Sequence, residues 1–151
     1  MFRKICTAAV LLIYLSACGE GPGTEPPETR YIEWDLADTS QWQVSGYDYE
    51  HLMTMTAVIT LNGEILSSVR NRVVGYSGGS IRSNAVSYWH LDQQLYSLNL
   101  YSNTLTDTLK FAAWIEDLGM AVSIENPVIF EANAALGHPD SPFELLIEKE
   151  E

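Results

Sequence analysis

The stretch Met53-Thr-Met-Thr-Ala-Val-Ile-Thr-Leu61, followed at once by Asn62-Gly63, decides the fold. Met53, Met55, Ala57, Ile59 and Leu61 fall on one side of an extended chain, with Thr54, Thr56 and Thr60 on the other. A period of two is the mark of a strand that buries one face. The Asn-Gly pair predicts a tight hairpin directly after it, because both residues tolerate positive φ.

Working outward, similar patterning predicts strands over 72–76, 80–85, 94–101, 108–115, 120–124, 128–130 and 143–147. Turn-rich breaks separate them at Ser77-Gly78-Gly79, Ser102-Asn103, Asp117-Leu118-Gly119 and Glu125-Asn126-Pro127. Helical periodicity is nearly absent; 131–136 fits a single helical turn, stopped by Gly137 and Pro139. Short strands between regular turn signals predict an all-β protein, an immunoglobulin-like antiparallel β-sandwich of about 7–9 strands in a single domain. No internal repeat is evident.

The N-terminus reads differently. Arg3 and Lys4 precede an apolar run over 5–15, the layout of a secretory signal. The run is too short for a membrane span, which needs about twenty residues. It ends in Leu15-Ser16-Ala17-Cys18, which resembles the lipobox of bacterial lipoproteins. That resemblance implies cleavage before Cys18 and lipid on its sulfur, with the mature chain anchored to a membrane outside the cytoplasm. Gly19 is not the aspartate associated with inner-membrane retention, so an outer-membrane location is expected. Residues 19–30 hold three Gly, three Pro and no large apolar side chain, a composition unable to form a core. The expected organisation is a signal peptide over 1–17, a tether over 18–30 and the sandwich over 31–151.

Charge narrows the partners. Eight basic residues stand against twenty acidic ones. Loss of Arg3 and Lys4 with the signal leaves six against twenty, a net −14. Such a surface repels phosphate backbones, so no nucleic-acid partner is expected. Cys6 leaves with the signal, and Cys18 is consumed by lipid, so no disulfide and no cysteine metal site are expected. Stability must come from the core, and the residues from Tyr31 onward suffice to build one.

Several segments resemble a known module: Trp42-Gln-Val-Ser-Gly-Tyr47-Asp-Tyr49, Met53-Thr-Met-Thr-Ala-Val58, Leu100-Tyr-Ser-Asn103, and Phe130-Glu-Ala-Asn-Ala-Ala-Leu-Gly137 with Pro139 and Pro142-Phe143. Together they are similar to a β-sandwich module repeated in secreted and surface proteins of Bacteroidetes and related bacteria. The resemblance covers 41–147 and implies a sandwich in an extracytoplasmic setting. That family has no assigned activity, and its motifs are turn and core residues. The chain departs from the pattern where acids commonly precede a central strand and Gly-Gly-x-x-Arg-Gly follows it. Here Ser67-Ser-Val-Arg70-Asn-Arg72 and Gly78-Gly-Ser-Ile-Arg82-Ser83 stand instead, so no role of those acids carries over.

Candidate chemistry is sparse. Gly75-Tyr76-Ser77-Gly78-Gly79 satisfies the G-x-S-x-G pattern of a nucleophile elbow, and Asp107 or Asp117 and then His138 follow in the order of an α/β-hydrolase triad. That chemistry needs Ser77 on a turn between strand and helix, whereas a strand-like stretch follows Gly79; a hairpin is the preferred reading. His51, His90 and His138 lack metal-ligand spacing and no calcium loop is present, so neither metal nor cofactor is expected. A carboxylate pair for glycoside hydrolysis has no sequence signature.

Aromatic side chains remain. On 108–115, Leu109, Phe111, Ala113 and Ile115 share one face, which turns Trp114 outward. Trp114, Tyr101 and Trp89 are candidate contacts for a sugar ring, whose C–H face stacks on an aromatic while its rim takes hydrogen bonds. The bland alternative packs Trp114 beneath a loop, against the N-terminal segment or against a partner. The expectation is a non-catalytic, lipid-anchored module that binds a surface glycan or envelope protein, with an assembly subunit as the alternative.

Overall fold

The computed structural model describes residues 39–147, so the signal, Cys18 and the tether lie outside the described residues. The chain forms β1 (His51–Leu61), β2 (Glu64–Ile65), β3 (Arg72–Ser77), β4 (Ser80–Ile81), β5 (Ser83–His90), β6 (Gln93–Ser102) and β7 (Thr106–Ile115). Then come β8 (Met120–Ser123), β9 (Val128–Glu131), β10 (Ala135–Leu136) and β11 (Phe143–Leu146). Helical structure among the described residues is limited to three 3-10 turns, at Thr39–Gln41, Gly46–Asp48 and Glu116–Leu118.

Two sheets face each other. In the first, β1 lies between β6 and β2, which follow one another along one side, and β10 and β11 along the other, and β5 forms the far edge beyond β6. In the second, β7 lies between β3 and the successive pair β9 and β8, with β4 beyond β3. Antiparallel pairing dominates; β10 and β11 run parallel to β1. The architecture is the all-β sandwich expected, with eleven strand segments because β2, β4 and β10 are pieces of two residues each.

Alternation works as read on β1. Met53, Met55, Ala57 and Ile59 are buried and meet Tyr96, Leu98 and Leu100 of β6 and Leu109, Phe111, Ala113 and Ile115 of β7. Phe130 of β9 and Leu145 of β11 complete this core. Full burial of such a side chain is worth about 1.5–3 kcal/mol. Asn62 and Gly63 both take positive φ, 54° and 82°, and turn β1 into β2 as the Asn-Gly pair predicts.

Two local readings need correction. The segment 131–136 is not a helical turn: Glu131 ends β9, Asn133 adopts φ 65°, and Ala135–Leu136 pair with Thr54 and Met55 as β10. Alanine-rich composition favours helix only weakly, and strand pairing overrides it here. The strand expected over 80–85 is two strands, divided at Arg82, and the second extends to His90. β4 belongs to the β3 sheet and β5 to the β1 sheet, so the chain changes layers at Arg82.

The sandwich is closed on one side and open on the other. On the closed side, β11 pairs with β1, and Asn126 clasps its backbone: Asn126 Nδ2 donates to Glu144 O (2.7 Å) and Leu146 N donates to Asn126 Oδ1 (2.9 Å). On the open side, β3 meets β4 only at Tyr76 and Ser77, and the opposing edge belongs to β5.

Candidate functional site

The open side is strapped by the segment that leads into β1. Trp42 is buried on the outer face of the β3 sheet, in a cluster with Val74 and Ala112. Val44 then reads the side chain of Asn84 with both its backbone groups: Val44 N donates to Asn84 Oδ1 (2.8 Å), and Asn84 Nδ2 donates to Val44 O (2.7 Å). Further along, Tyr49 stacks on Tyr101 at 5.7 Å, carries the Arg82 guanidinium 5.0 Å from its ring centre, and donates its hydroxyl to Ile81 O. Gly46 lets the strap approach this far, since a Cβ there would stand 2.8 Å from the Tyr101 ring.

Beside the strap, a cleft of about 300 Å³ enters the gap between the β3 and β5 edges. Its lining includes Trp42, Asn71, Arg72, Val73, Ser87 and Tyr96. Tyr96, 1% exposed, and Trp42, 5% exposed, each have a polar atom with no hydrogen-bond partner of ordinary geometry among the described residues: the Tyr96 hydroxyl and the indole Nε1. Burial pushes the Tyr96 hydroxyl well above the ordinary tyrosine range; Asn71 and the Arg72 charge act more weakly in the opposite direction. The phenol is therefore neutral and remains a donor at physiological pH.

The floor of the cleft is fixed by a polar network. Asn71 is buried; its N–H donates to Ser68 O (3.0 Å), and its Oδ1 accepts from Glu116 N (2.9 Å). Glu116 accepts from the Ser68 hydroxyl and pairs with Arg70 at 3.0 Å. Gln94 Oε1 accepts from Ser68 N (2.8 Å), which pins the 66–71 loop to β6. Arg72 Nη1 donates to Val69 O (2.8 Å) and Asn71 O (2.9 Å), so the guanidinium is held by backbone, with no carboxylate in ion-pair range among the described residues.

The three expected aromatic contacts go to different places. Trp114 is on the outer face, as its strand position requires, but it packs against the Trp42 cluster and is only half-exposed. Tyr101 is occupied by Tyr49. Trp89 is 56% exposed and shares a face of β5 with Ser87, two residues back; that spacing is about 7 Å. The register places Trp89 opposite Gln94 and Ser87 opposite Tyr96, so Trp89 continues the line of the cleft.

Ser77 ends β3 and is followed by Gly78 and Gly79 at φ 55° and 74°, then by β4: the G-x-S-x-G stretch is a β-hairpin. Ser77 Oγ donates to Asp107 Oδ1 (2.9 Å), whereas His138 lies beside Asp140. Asp107 also accepts from Thr108 N and from the Ser102 hydroxyl, so it serves as an anchor for strand ends. Asp117 lies in the 3-10 turn after β7, exposed. His51 opens β1. His90 and His138, without sequence spacing, meet through Asp140: His90 Nε2 is 3.2 Å from Oδ1 and His138 Nδ1 is 3.6 Å from Oδ2. No group of three or more His, Cys, Asp or Glu among the described residues is arranged to hold a metal ion.

Sequence reasoning passed over Trp42, Asn71, Arg72 and Tyr96 as a set. One signal existed: Gln94 and Tyr96 are polar at positions that alternation assigns to the inner face, together with Leu98 and Leu100. Polar groups on a core face call for partners, and these two mark the end where the sandwich opens. No protein-family model, curated protein or solved structure matches the chain.

Proposed function

We propose that the protein is a non-catalytic, lipid-anchored extracytoplasmic β-sandwich that binds a surface glycan along its open edge. The observation that carries this reading is the placement of the exposed Trp89 in line with a polar cleft. An aromatic platform stacks on the apolar face of a sugar ring, and the neighbouring amide, hydroxyl and guanidinium groups meet its rim. The lipobox-like Leu15-Ser16-Ala17-Cys18 supports attachment to a membrane through lipid on Cys18, Gly19 after it supports the outer membrane, and the resemblance to the Bacteroidetes module supports an extracytoplasmic setting.

Retention on a panel of immobilised envelope and environmental polysaccharides tests this. The full-length chain in detergent is retained by at least one polysaccharide, and Trp89→Ala lowers that retention at least tenfold while leaving the circular dichroism spectrum unchanged. Absence of retention throughout the panel removes the glycan reading and leaves the assembly-subunit alternative, whose signature is stoichiometric cross-linking to one envelope protein.

A further inference from the structure

Donors and acceptors in the cleft are out of balance. The Trp42 Nε1–H is a donor only, and it has no partner among the described residues. The Tyr96 hydroxyl makes no hydrogen bond of ordinary geometry among the described residues, the Asn71 side chain acting on it only weakly, although both side chains are more than nine-tenths buried. An unsatisfied buried polar group is costly, and two on residues that line one cavity mark a place where an acceptor belongs.

Backbone adds to the donors. Gly75 turns its N–H and C=O toward the open side, where Ser83 Oγ (2.6 Å) and Arg82 N (2.8 Å) meet them. By strand alternation Val73, two residues earlier, faces the same way, beyond the reach of β4. Its N–H has no strand partner on that side among the described residues, and Val73 is part of the cleft lining.

Charge points the same way. Residues 39–147 contain eleven Asp and Glu against four Arg and Lys, yet no acidic side chain among the described residues lines the cleft. Arg72 does line it, and its two hydrogen bonds orient the guanidinium without neutralising it.

Building on the glycan reading, we propose that this cleft takes the carboxylate of an acidic sugar, a uronate residue within the bound glycan. The carboxylate accepts from Arg72, Trp42 Nε1 and Tyr96, and the adjacent sugar stacks on Trp89. A charge-assisted pair of this kind is what a site rich in donors and free of acids selects. The strongly acidic remainder of the surface disfavours anions that do not reach the cleft.

Calorimetric titration of the full-length chain in detergent decides it, with a uronic-acid trisaccharide, its carboxyl-reduced neutral counterpart and a glutamate tripeptide as probes. The acidic trisaccharide is expected to bind at least tenfold more tightly than the neutral one, and Arg72→Gln brings the two within about twofold. Equal binding of the two sugars overturns the carboxylate assignment and leaves glycan binding intact. Tighter binding of the glutamate tripeptide than of the uronate overturns the assignment to a sugar. Failure of both sugars to bind, with retention elsewhere in the polysaccharide panel, also overturns the assignment; failure of the panel as well removes the glycan reading itself.

Discussion

Replacement of Gly137 by alanine should unfold the protein far more than the same change at any of the turn glycines. Gly137 has φ 74°, and a Cβ there would stand 2.2 Å from Thr56 O and 2.8 Å from Phe143 N. Gly63, Gly78 and Gly119 have φ of 82°, 55° and 63°, with nothing within 4 Å of a Cβ. All four pay the left-handed penalty of about 1–2 kcal/mol for an L side chain, offset by about 0.4–1 kcal/mol from the less flexible unfolded chain. The three open positions should therefore lose no more than about 1.6 kcal/mol.

At Gly137 both obstructing atoms are backbone, so neither can swing aside. Ordinary contact begins near 3.4 Å, which requires Thr56 O and the new Cβ to separate by the difference from 2.2 Å, 1.2 Å. Thr56 lies between the pairings of β10 at Thr54 and Met55 and of β11 from Ala57 onward. Separation disturbs both ladders, and with backbone hydrogen bonds worth about 1 kcal/mol each the total exceeds about 3 kcal/mol. For a domain of this size that is a fall in Tm of more than about 12 °C. Urea unfolding followed by tryptophan fluorescence, run in parallel on Gly137→Ala and Gly63→Ala, measures the contrast. A Gly137→Ala protein within about 1 kcal/mol of Gly63→Ala would refute the close approach.

Tyr96 is held protonated by burial while an unfolded tyrosine ionises near its ordinary value, so its contribution to stability is intact below about pH 10 and declines above it by up to about 1.4 kcal/mol per pH unit. Urea midpoints collected from pH 8 to 11 should show this alkaline loss in the native chain and a shallower one in Tyr96→Phe; parallel curves contradict it. Cys18→Ser should transfer the protein from the membrane fraction to the soluble fraction and abolish incorporation of labelled palmitate, and an unchanged distribution would remove lipid as the anchor.

The sandwich was legible because one-sided burial writes itself into every second residue, as in Met53 to Leu61, and because Asn62-Gly63 needs positive φ. β5 was less legible beyond Ala85. At an edge, Val86 and Trp89 are exposed on opposite faces, so Val-Ser-Tyr-Trp-His shows no clean alternation. Glu131 to Leu136 misled because local composition carries no record of the β1 edge waiting to pair with Ala135 and Leu136. The cleft was invisible for a related reason: Trp42, Asn71, Arg72 and Tyr96 come from three separate stretches, joined only when β3 and β5 end up in different sheets. The meeting of His90 and His138 at Asp140 is of the same kind, fixed by the loop after Gly137 and not by spacing.

The parallel pairing of β1 with β11 has a mechanical consequence. The chain enters β1 at His51 and leaves β11 at Leu146, and the two strands point the same way. A pull on the two ends therefore slides one strand along the other and loads the four register pairs from Ala57↔Phe143 to Thr60↔Leu146 together, where a hairpin would peel open pair by pair.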